Sequence, residues 1–290
     1  MTDATQFDDP TIPEFASRFS YSRFAQSIES SNRYVWADDV HLFLQTVVAT
    51  ITQRDQIIPA GAILFRAQQG VEWPITEHQD GGRTWDGPIG YASKRMKPLT
   101  DRATEGRANP RGIPVLYLGK TVDTAISEVR PWVGAEVSVA RCKVLRNLRT
   151  LDLSLGHNSS PFFSNLGRML SSEPYTAAEK KSEVWNAIDR AFSQPVTQSD
   201  NKAEYAPTQI LTELFKHQGY DAITYKSQFG NEDGYNIAVF DPDAVDIVSC
   251  APYQVRSITV DARQFGNDWY KHVPAQGIQN EEAAGPHLGE

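Results

Sequence analysis

Cysteine is scarce in this sequence, and its scarcity excludes a disulfide-stapled fold. Only two cysteines occur among the 290 residues, Cys142 and Cys250, and they lack the spacing of a metal site. The six histidines are scattered, and none pairs with another at the spacing of metal ligands. The sequence therefore predicts no metal site, and its cysteine usage is typical of a protein that works in a reducing cytoplasm.

Long apolar runs and an excess of positive charge are also missing. No apolar run is long enough to cross a bilayer, and the acidic N-terminus lacks the apolar segment of a secretory signal. Lysine and arginine total 28 against 36 aspartates and glutamates, which gives a formal net charge of −8. Since a general grip on nucleic acid needs clustered positive charge, we expect no direct nucleic-acid partner and no membrane partner, with at most a local basic patch.

Several common catalytic motifs are absent too. The chain has no GxGxxG after a strand, no P-loop, no HExxH and no GxSxG. Hydrophobic residues make up 40% and charged residues 22%, which is ordinary for a globular protein with a proper core. The common dinucleotide-binding, metalloprotease and hydrolase classes are therefore not indicated.

The first part of the chain predicts a helical extension, which we place at residues 1–57. Apolar residues recur at helical spacing over 14–30 and again over 38–54. Either Asp38 or Asp39 can cap the second helix. Such an extension is able to bind a partner, dimerise or hold the protein inactive, and the sequence leaves these alternatives open.

The rest of the chain predicts short strands with helices between them, and hence an α+β fold. Apolar and β-branched runs predict strands at 62–67, 113–119, 135–144, 150–154, 221–225, 235–240 and 246–250. Thr121 or Asp123 can cap a short helix that Pro131 ends. The capping-box pattern at 176–179 predicts a second helix, and an amphipathic stretch at 207–220 predicts a third.

We place the main domain at residues 58–256, with a variable insertion at about 155–200. A C-terminal segment follows at 257–290 and ends in a tail of disordered composition. Inside the main domain, residues 68–105 show little periodicity. Because so long a loop in a compact domain is often functional, we expect it to supply a lid or a partner surface.

Polar side chains stand at the ends of the predicted strands and helices. Arg66 ends the first strand, Glu128 and Arg130 end the helix after 113–119, and Ser227 follows a late strand. Taken singly, a snorkelling arginine or a turn serine is ordinary. A carboxylate near a helix C-terminus is unfavourable for the helix dipole, so Glu128 is less comfortable in a purely structural role. Further candidates of this kind are Tyr117, Arg107, Asn109, Gln209 and Asn236.

Read in order, four segments resemble the RES domain family. They are "LFRA", "GRANPRGIPVLYLGKTVDTAISEVRPWVG", "YAPTQILTELFKHQGYDAITYKS" and "GYNIAVFDP". The resemblance covers about 62–250, and the stretch 106–134 is its most specific part. The family takes its name from an arginine, a glutamate and a serine, which correspond here to Arg66, Glu128 and Ser227.

The resemblance implies a bacterial toxin of a toxin–antitoxin pair that consumes NAD+. The family's fold is similar to the ADP-ribosyltransferase fold, a split α+β sandwich with a central NAD cleft. NAD+ would be a substrate and inorganic phosphate a possible co-substrate, with no further cofactor. The usual antitoxin carries an Xre-like DNA-binding domain and covers the cleft, and short members often form a homodimer.

The resemblance also suggests roles for the three family residues. Glu128 would stabilise the positive charge that grows on the ribose as the nicotinamide bond breaks. Arg66 would hold the diphosphate or the nicotinamide ribose, and Ser227 would orient the ribose or the carboxamide. These three residues are the expected catalytic set.

The remaining candidates would bind substrate. Tyr117, which in a strand is ordinarily a core residue, would stack on the nicotinamide. Arg107 and Asn109 would contact phosphate or ribose, although plain loop capping explains them equally well. Gln209 and Asn236 are further substrate-binding candidates.

Two alternatives to an NAD+-degrading enzyme stay open. A mono-ADP-ribosyltransferase would leave ADP-ribose on a protein target, whereas a degrading enzyme would consume NAD+ without labelling a macromolecule. A non-catalytic module would use the cleft for a nucleotide or a partner. The presence of Arg66, Glu128 and Ser227 together argues against this last alternative.

Overall fold

The computed structural model of the protein describes residues 13–77, 83–100, 102–157, 174–194, 202–229 and 234–260, together with 262, 264 and 266. Contacts divide the chain into residues 1–256 and 257–290. All helices and strands of the described residues lie in the first unit. The expected C-terminal tail and much of the insertion expected at 155–200 lie outside the described residues.

Strands form the centre of the first unit, and ten are present in the described residues. They are β1 (Asp55–Ile58), β2 (Ile63–Gln69), β3 (Ile75–Glu77), β4 (Arg83–Trp85), β5 (Leu116–Gly119), β6 (Glu136–Val144), β7 (Leu148–Asp152), β8 (Ala222–Lys226), β9 (Tyr235–Val239) and β10 (Val245–Gln254). Eight of them make one mixed sheet in the order β1-β7-β8-β9-β5-β2-β6-β10, and β3 and β4 form a separate hairpin. Within the sheet, β7 and β8 run parallel and the other neighbours run antiparallel.

Five α-helices accompany the strands within the described ranges. They are α1 (Ser20–Ser30), α2 (Asp38–Thr50), α3 (Val122–Glu128), α4 (Ala177–Ser193) and α5 (Ala206–His217). The α+β class and the N-terminal helices are therefore confirmed. None of these helices is long and apolar enough to cross a membrane.

Most predicted helix ends are confirmed by local contacts. Thr121 caps α3 by accepting a hydrogen bond from the amide of Thr124 at 3.1 Å. Thr176 and Glu179 form the predicted capping box of α4. The prediction for α2 was wrong, because its N-cap is Ala37 and makes no side-chain capping bond.

The N-terminal helices are part of the main core. Phe24 of α1 and Phe43 of α2 stack with ring centroids 4.6 Å apart, and both belong to the buried cluster that contains Trp185 of α4 and Ile223 of β8. The Trp185 indole also donates a hydrogen bond to the Thr50 hydroxyl at 3.1 Å. The helices expected as an extension therefore share one core with the sheet.

The sheet is nearly divided at its centre. β2 pairs with β6 over its whole length, from Ile63 to Gln69, but it meets β5 through a single residue pair, Phe65 and Gly119. A β-carbon at Gly119 would lie 2.7 Å from the amide nitrogen of Ala125, so glycine allows α3 to approach here. The sheet opens beside this pair, in agreement with the split that the family resemblance implied.

The sequence missed three strands and misplaced several strand ends. β1 is mostly exposed and β3 fully exposed, so neither shows the alternation that marks a half-buried strand. The hairpin of β3 and β4 lies in the stretch expected as an irregular loop. β2 does not end on Arg66, as predicted, but continues to Gln69.

Candidate active site

A cleft of about 340 Å³ lies where the sheet opens between β5 and β2. Its walls come from β2, β5, α3, β8, β9 and the loop before β5. The polar side chains that line it are Arg66, Arg107, Tyr117, Glu128, Tyr225 and Asn236. Five of these six were candidates from the sequence, and the fold brings all six side chains together from six separate segments of the chain.

Glu128, the last residue of α3, is held in a fixed orientation. The Ser227 hydroxyl and the Asn236 side-chain amide each donate a hydrogen bond to its Oε1 at 2.6 Å. Within the described residues Oε2 has no hydrogen-bond partner. Because both groups donate to the same oxygen, the carboxylate is oriented while its second oxygen stays available to a ligand.

The Ser227 hydroxyl is used to hold the Glu128 carboxylate. Its Oγ lies 2.8 Å from the carbonyl of Phe229 and accepts a hydrogen bond from the Phe229 amide at 3.2 Å. A hydroxyl has one proton, and its bond to Glu128 is both shorter and charge-assisted. Ser227 therefore positions Glu128 rather than presenting a free hydroxyl to the cleft.

The end of α3 is braced by residues around Arg130. Arg130 has a left-handed φ of 47°, and the proline that follows it disfavours helical backbone at this position. The Gln69 side chain donates a hydrogen bond to the Val129 carbonyl at 2.7 Å. The Arg130 guanidinium lies 4.8 Å from the centroid of the Phe229 ring. Arg130 thus joins the helix end to the turn that carries Ser227, while Glu128 faces the cleft.

We expect Arg130→Ala to be less stable than Arg130→Gly by about 1 kcal/mol, because a β-carbon is disfavoured in left-handed backbone. Both variants lose the contact with Phe229, so the difference between their free energies of unfolding reports the effect of the backbone conformation alone. Urea unfolding followed by tryptophan fluorescence measures it. Equal free energies of unfolding would mean that the backbone relaxes once the guanidinium is gone.

Arg66 is a cation without a counter-charge. Its Nη1 donates a hydrogen bond to the Tyr117 carbonyl at 3.2 Å, its Nε is buried with no partner, and it makes no ion pair with any described residue. Burial lowers the pKa of the guanidinium, yet an arginine stays charged in proteins. An unsatisfied donor on a buried charge is costly, so Arg66 is suited to receive an anionic ligand.

Tyr117 forms the wall between Arg66 and the loop before β5. Its hydroxyl donates to Oδ1 of Asn109 at 2.7 Å and accepts from the Ala108 amide at 3.0 Å. Burial is the main cause that raises the pKa of the phenol. The hydroxyl is therefore used inside the protein, and the ring is the part that lines the cleft.

Asn109 and Gln209 hold the loop before β5 in place. The Asn109 amide donates to three carbonyls of the loop, those of Thr104, Pro110 and Ile113. Gln209 of α5 donates to the carbonyls of Gly106 and Asn109, at 2.9 and 3.0 Å. These contacts favour the loop-capping interpretation of Asn109, and neither residue is among those that line the cleft.

The arginines near the cleft divide into two kinds. Arg107 lines it and donates from Nη1 to the carbonyls of Ala191 and Phe192, at 3.3 and 2.7 Å. Burial is the main cause that lowers its pKa. Arg111, four residues further along the same loop, is exposed and is not among the residues that line the cleft.

Sequence reasoning missed Tyr225 as a cleft residue. It lies on β8 and is largely buried, and burial raises the pKa of its hydroxyl. Its position two residues before Ser227 is the signal that was available, since residues two apart on a strand point to the same side. Tyr225 and Tyr117 give the cleft two aromatic walls.

The fold and the cleft define an α+β protein whose nearly divided sheet exposes an oriented carboxylate beside an arginine that makes no ion pair with any described residue. The sequence model of the RES domain family matches residues 83–261. The chain belongs to the RES domain family. No curated protein matches the sequence in a direct search.

A solved structure, the crystal structure of the M.tuberculosis MbcT-MbcA toxin-antitoxin complex, is similar to this chain at 13% sequence identity with a TM-score of 0.38. The alignment covers 72% of this chain and 92% of that chain. The family match begins at residue 83, so it does not include Arg66. β2 nevertheless lies between β5 and β6, which are both inside the match, so the arginine comes from a strand within the same sheet.

Proposed function

We propose that this protein degrades NAD+ by cleaving the bond between nicotinamide and ribose, with phosphate or water as the acceptor. The observation that carries the proposal is the geometry of Glu128, whose Oε1 is held by two donors at 2.6 Å inside an open cleft. Membership of the RES family supports the same activity, in the role of a toxin.

The chemistry of this bond suits a fixed carboxylate. Cleavage passes through an oxocarbenium-like state in which positive charge grows on the ribose. A carboxylate that is oriented beforehand stabilises this charge without reorganisation during the reaction. In the proposed mechanism Oε2 of Glu128 faces the sugar, while Ser227 and Asn236 keep the side chain in place.

The other cleft residues fit the remaining parts of the dinucleotide. Arg66 would bind phosphate oxygens through the part of its guanidinium that lines the cleft. The rings of Tyr117 and Tyr225 would enclose the flat nicotinamide. Phosphorolysis would give nicotinamide and ADP-ribose-1″-phosphate, and hydrolysis would give nicotinamide and ADP-ribose.

The test is an incubation of the purified full chain with NAD+, with and without inorganic phosphate, followed by phosphorus NMR. ADP-ribose-1″-phosphate that forms only with phosphate identifies a phosphorylase, and ADP-ribose in both samples identifies a hydrolase. NAD+ that stays intact in both samples contradicts the proposal. ADP-ribose attached to an added protein extract would instead favour a mono-ADP-ribosyltransferase.

We expect Ser227→Ala and Asn236→Ala each to lower kcat for NAD+ by about tenfold, the value of roughly one hydrogen bond to a charged group, with KM little changed. Neither substitution should cost further activity in a Glu128→Ala background, because both residues act through that carboxylate. Steady-state assays of nicotinamide release measure both effects. Ser249→Ala, on the exposed face of β10, is the control, and additive losses would contradict the positioning role.

We also propose an antitoxin as the protein's partner, one that covers the cleft. The chain belongs to the RES family, whose members are typically toxins paired with an antitoxin. Shortly after Val129, which lines the cleft, Trp132 and Val133 are 64% and 60% exposed, an apolar surface that a partner would bury. We further propose that the antitoxin is Xre-like, that the protein forms a homodimer and that it acts in the cytoplasm.

A further inference from the structure

A second cavity adjoins the cleft and has a strongly basic lining. Its volume is about 330 Å³, and Arg66 and Tyr117 line both it and the cleft. Four more cations line it, namely Lys94, Arg95, Lys97 and Arg102. Among the residues that the structure describes, no aspartate or glutamate lines it. We call this cavity the basic pocket.

The charge of the basic pocket is opposite to that of the protein. The chain carries a formal net charge of −8, yet Arg66, Lys94, Arg95 and Lys97 converge here, and no carboxylate lines the pocket in the part of the chain that the structure describes. Such a concentration of one sign costs free energy through self-repulsion unless an anion offsets it. The arrangement therefore indicates a binding function for an anion.

The segment that carries these cations is built into the fold. Met96 is fully buried, and the Gln68 side chain of β2 donates a hydrogen bond to the Arg95 carbonyl at 3.0 Å. The Arg95 guanidinium lies 3.4 Å from the centroid of the Tyr91 ring. The lysines on either side of Met96 are thus held beside the strand that carries Arg66.

Lys97 is the one pocket lysine with a recorded ion pair among the described residues. Its Nζ lies 3.2 Å from Oδ1 of Asp243, whose side chain is 92% exposed. Because an exposed ion pair contributes little to stability, Lys97 can turn from Asp243 to a ligand at small cost. Arg66 adds a buried Nε that has no hydrogen-bond partner among the described residues.

We propose that the basic pocket binds phosphoryl groups and so extends the cleft into a two-part site. A phosphate oxygen accepts charge-assisted hydrogen bonds both from lysine ammonium groups and from the arginine fork. The bound group is either the diphosphate of the dinucleotide or free inorganic phosphate, and naming the dinucleotide rests on the proposed function. Arg66, shared by both cavities, connects the phosphoryl groups with the carboxylate side of the cleft.

The test measures binding of inorganic pyrophosphate to the full chain by isothermal titration calorimetry. We expect Lys94→Gln with Lys97→Gln to weaken this binding by about tenfold or more, since two charge-assisted contacts are lost. Lys143→Gln with Lys216→Gln removes the same charge away from both cavities and should leave binding unchanged. The single variant Lys94→Gln, at an exposed position, serves if the double variant does not fold. Equal binding by both double variants, or no binding by the wild type at millimolar pyrophosphate, overturns the proposal.

Nicotinamide release by the same samples separates this inference from the proposed function. If pyrophosphate binds in the pocket but NAD+ stays intact, the pocket stands and the proposed function fails. If NAD+ is consumed but the double lysine variant binds pyrophosphate as the wild type does, the pocket proposal is wrong and the proposed function is not affected. In the double lysine variant, a rise confined to KM for NAD+ assigns the pocket to the diphosphate, and a rise confined to KM for phosphate assigns it to the acceptor.

Discussion

Replacing Glu128 by glutamine is expected to lower the rate of nicotinamide release from NAD+ by about a hundredfold or more, the loss typical of removing a main electrostatic stabiliser. Glutamine keeps an oxygen that accepts from Ser227 and Asn236, which both bond to Oε1 in the native protein. The variant should therefore fold normally while lacking the negative charge. Steady-state kinetics with NAD+, together with a thermal unfolding curve, measure both expectations.

Glu136→Gln is the matched control for this experiment. Glu136 begins β6, outside the cleft, and its carboxylate accepts a hydrogen bond from the Trp73 indole at 3.3 Å. The same change of charge there should leave the rate within about twofold, because charges at a distance are screened by salt. If Glu128→Gln folds and keeps near-native activity, then Glu128 is not the group that stabilises the sugar.

The parts of the fold that sequence predicted well are those with a strong local signal. The capping box at Thr176 and Glu179 and the glycine that follows α5, Gly219 with a φ of 78°, each follow from the chemistry of a few neighbouring residues. β1 and β3 carry no such signal, since an exposed strand obtains its stability from its neighbours. Their existence depends on tertiary pairing that a local pattern does not contain.

The family residues of the site were predicted through the resemblance, but their contacts were not. A local sequence pattern does not predict that Ser227 and Asn236 both donate to one oxygen of Glu128, because α3, β8 and β9 come together only in the folded protein. The basic pocket was not predicted, although Lys94 and Lys97 lie within the stretch expected to be a lid or partner surface. Its connection to Arg66 depends on the position of β2, which a sequence pattern does not specify.

Arg66→Met is expected to raise the free energy of unfolding by about 1 kcal/mol while weakening NAD+ binding by about tenfold to a hundredfold. The gain in stability follows because methionine fills a similar volume without a buried charge, and the native Nε has no partner to lose. The hydrogen bond to the Tyr117 carbonyl is lost, which offsets part of this gain. Denaturant unfolding and calorimetric titration with NAD+ measure the two effects.

Arg54→Met is the matched control for Arg66→Met. Burial also lowers the pKa of Arg54, but its Nη1 donates to the carbonyls of Asp152 and Leu153, at 3.1 and 3.0 Å, and its guanidinium lies 4.6 Å from the Trp185 ring centroid. The same substitution there should lower stability by about 1–3 kcal/mol and leave NAD+ binding unchanged, because it deprives buried carbonyls of their donor. If Arg66 is kept for binding at the expense of stability, the free energy of unfolding should rise in Arg66→Met and fall in Arg54→Met. If Arg66→Met destabilises the protein as much as Arg54→Met does and binds NAD+ normally, Arg66 is a structural residue and the anion belongs elsewhere.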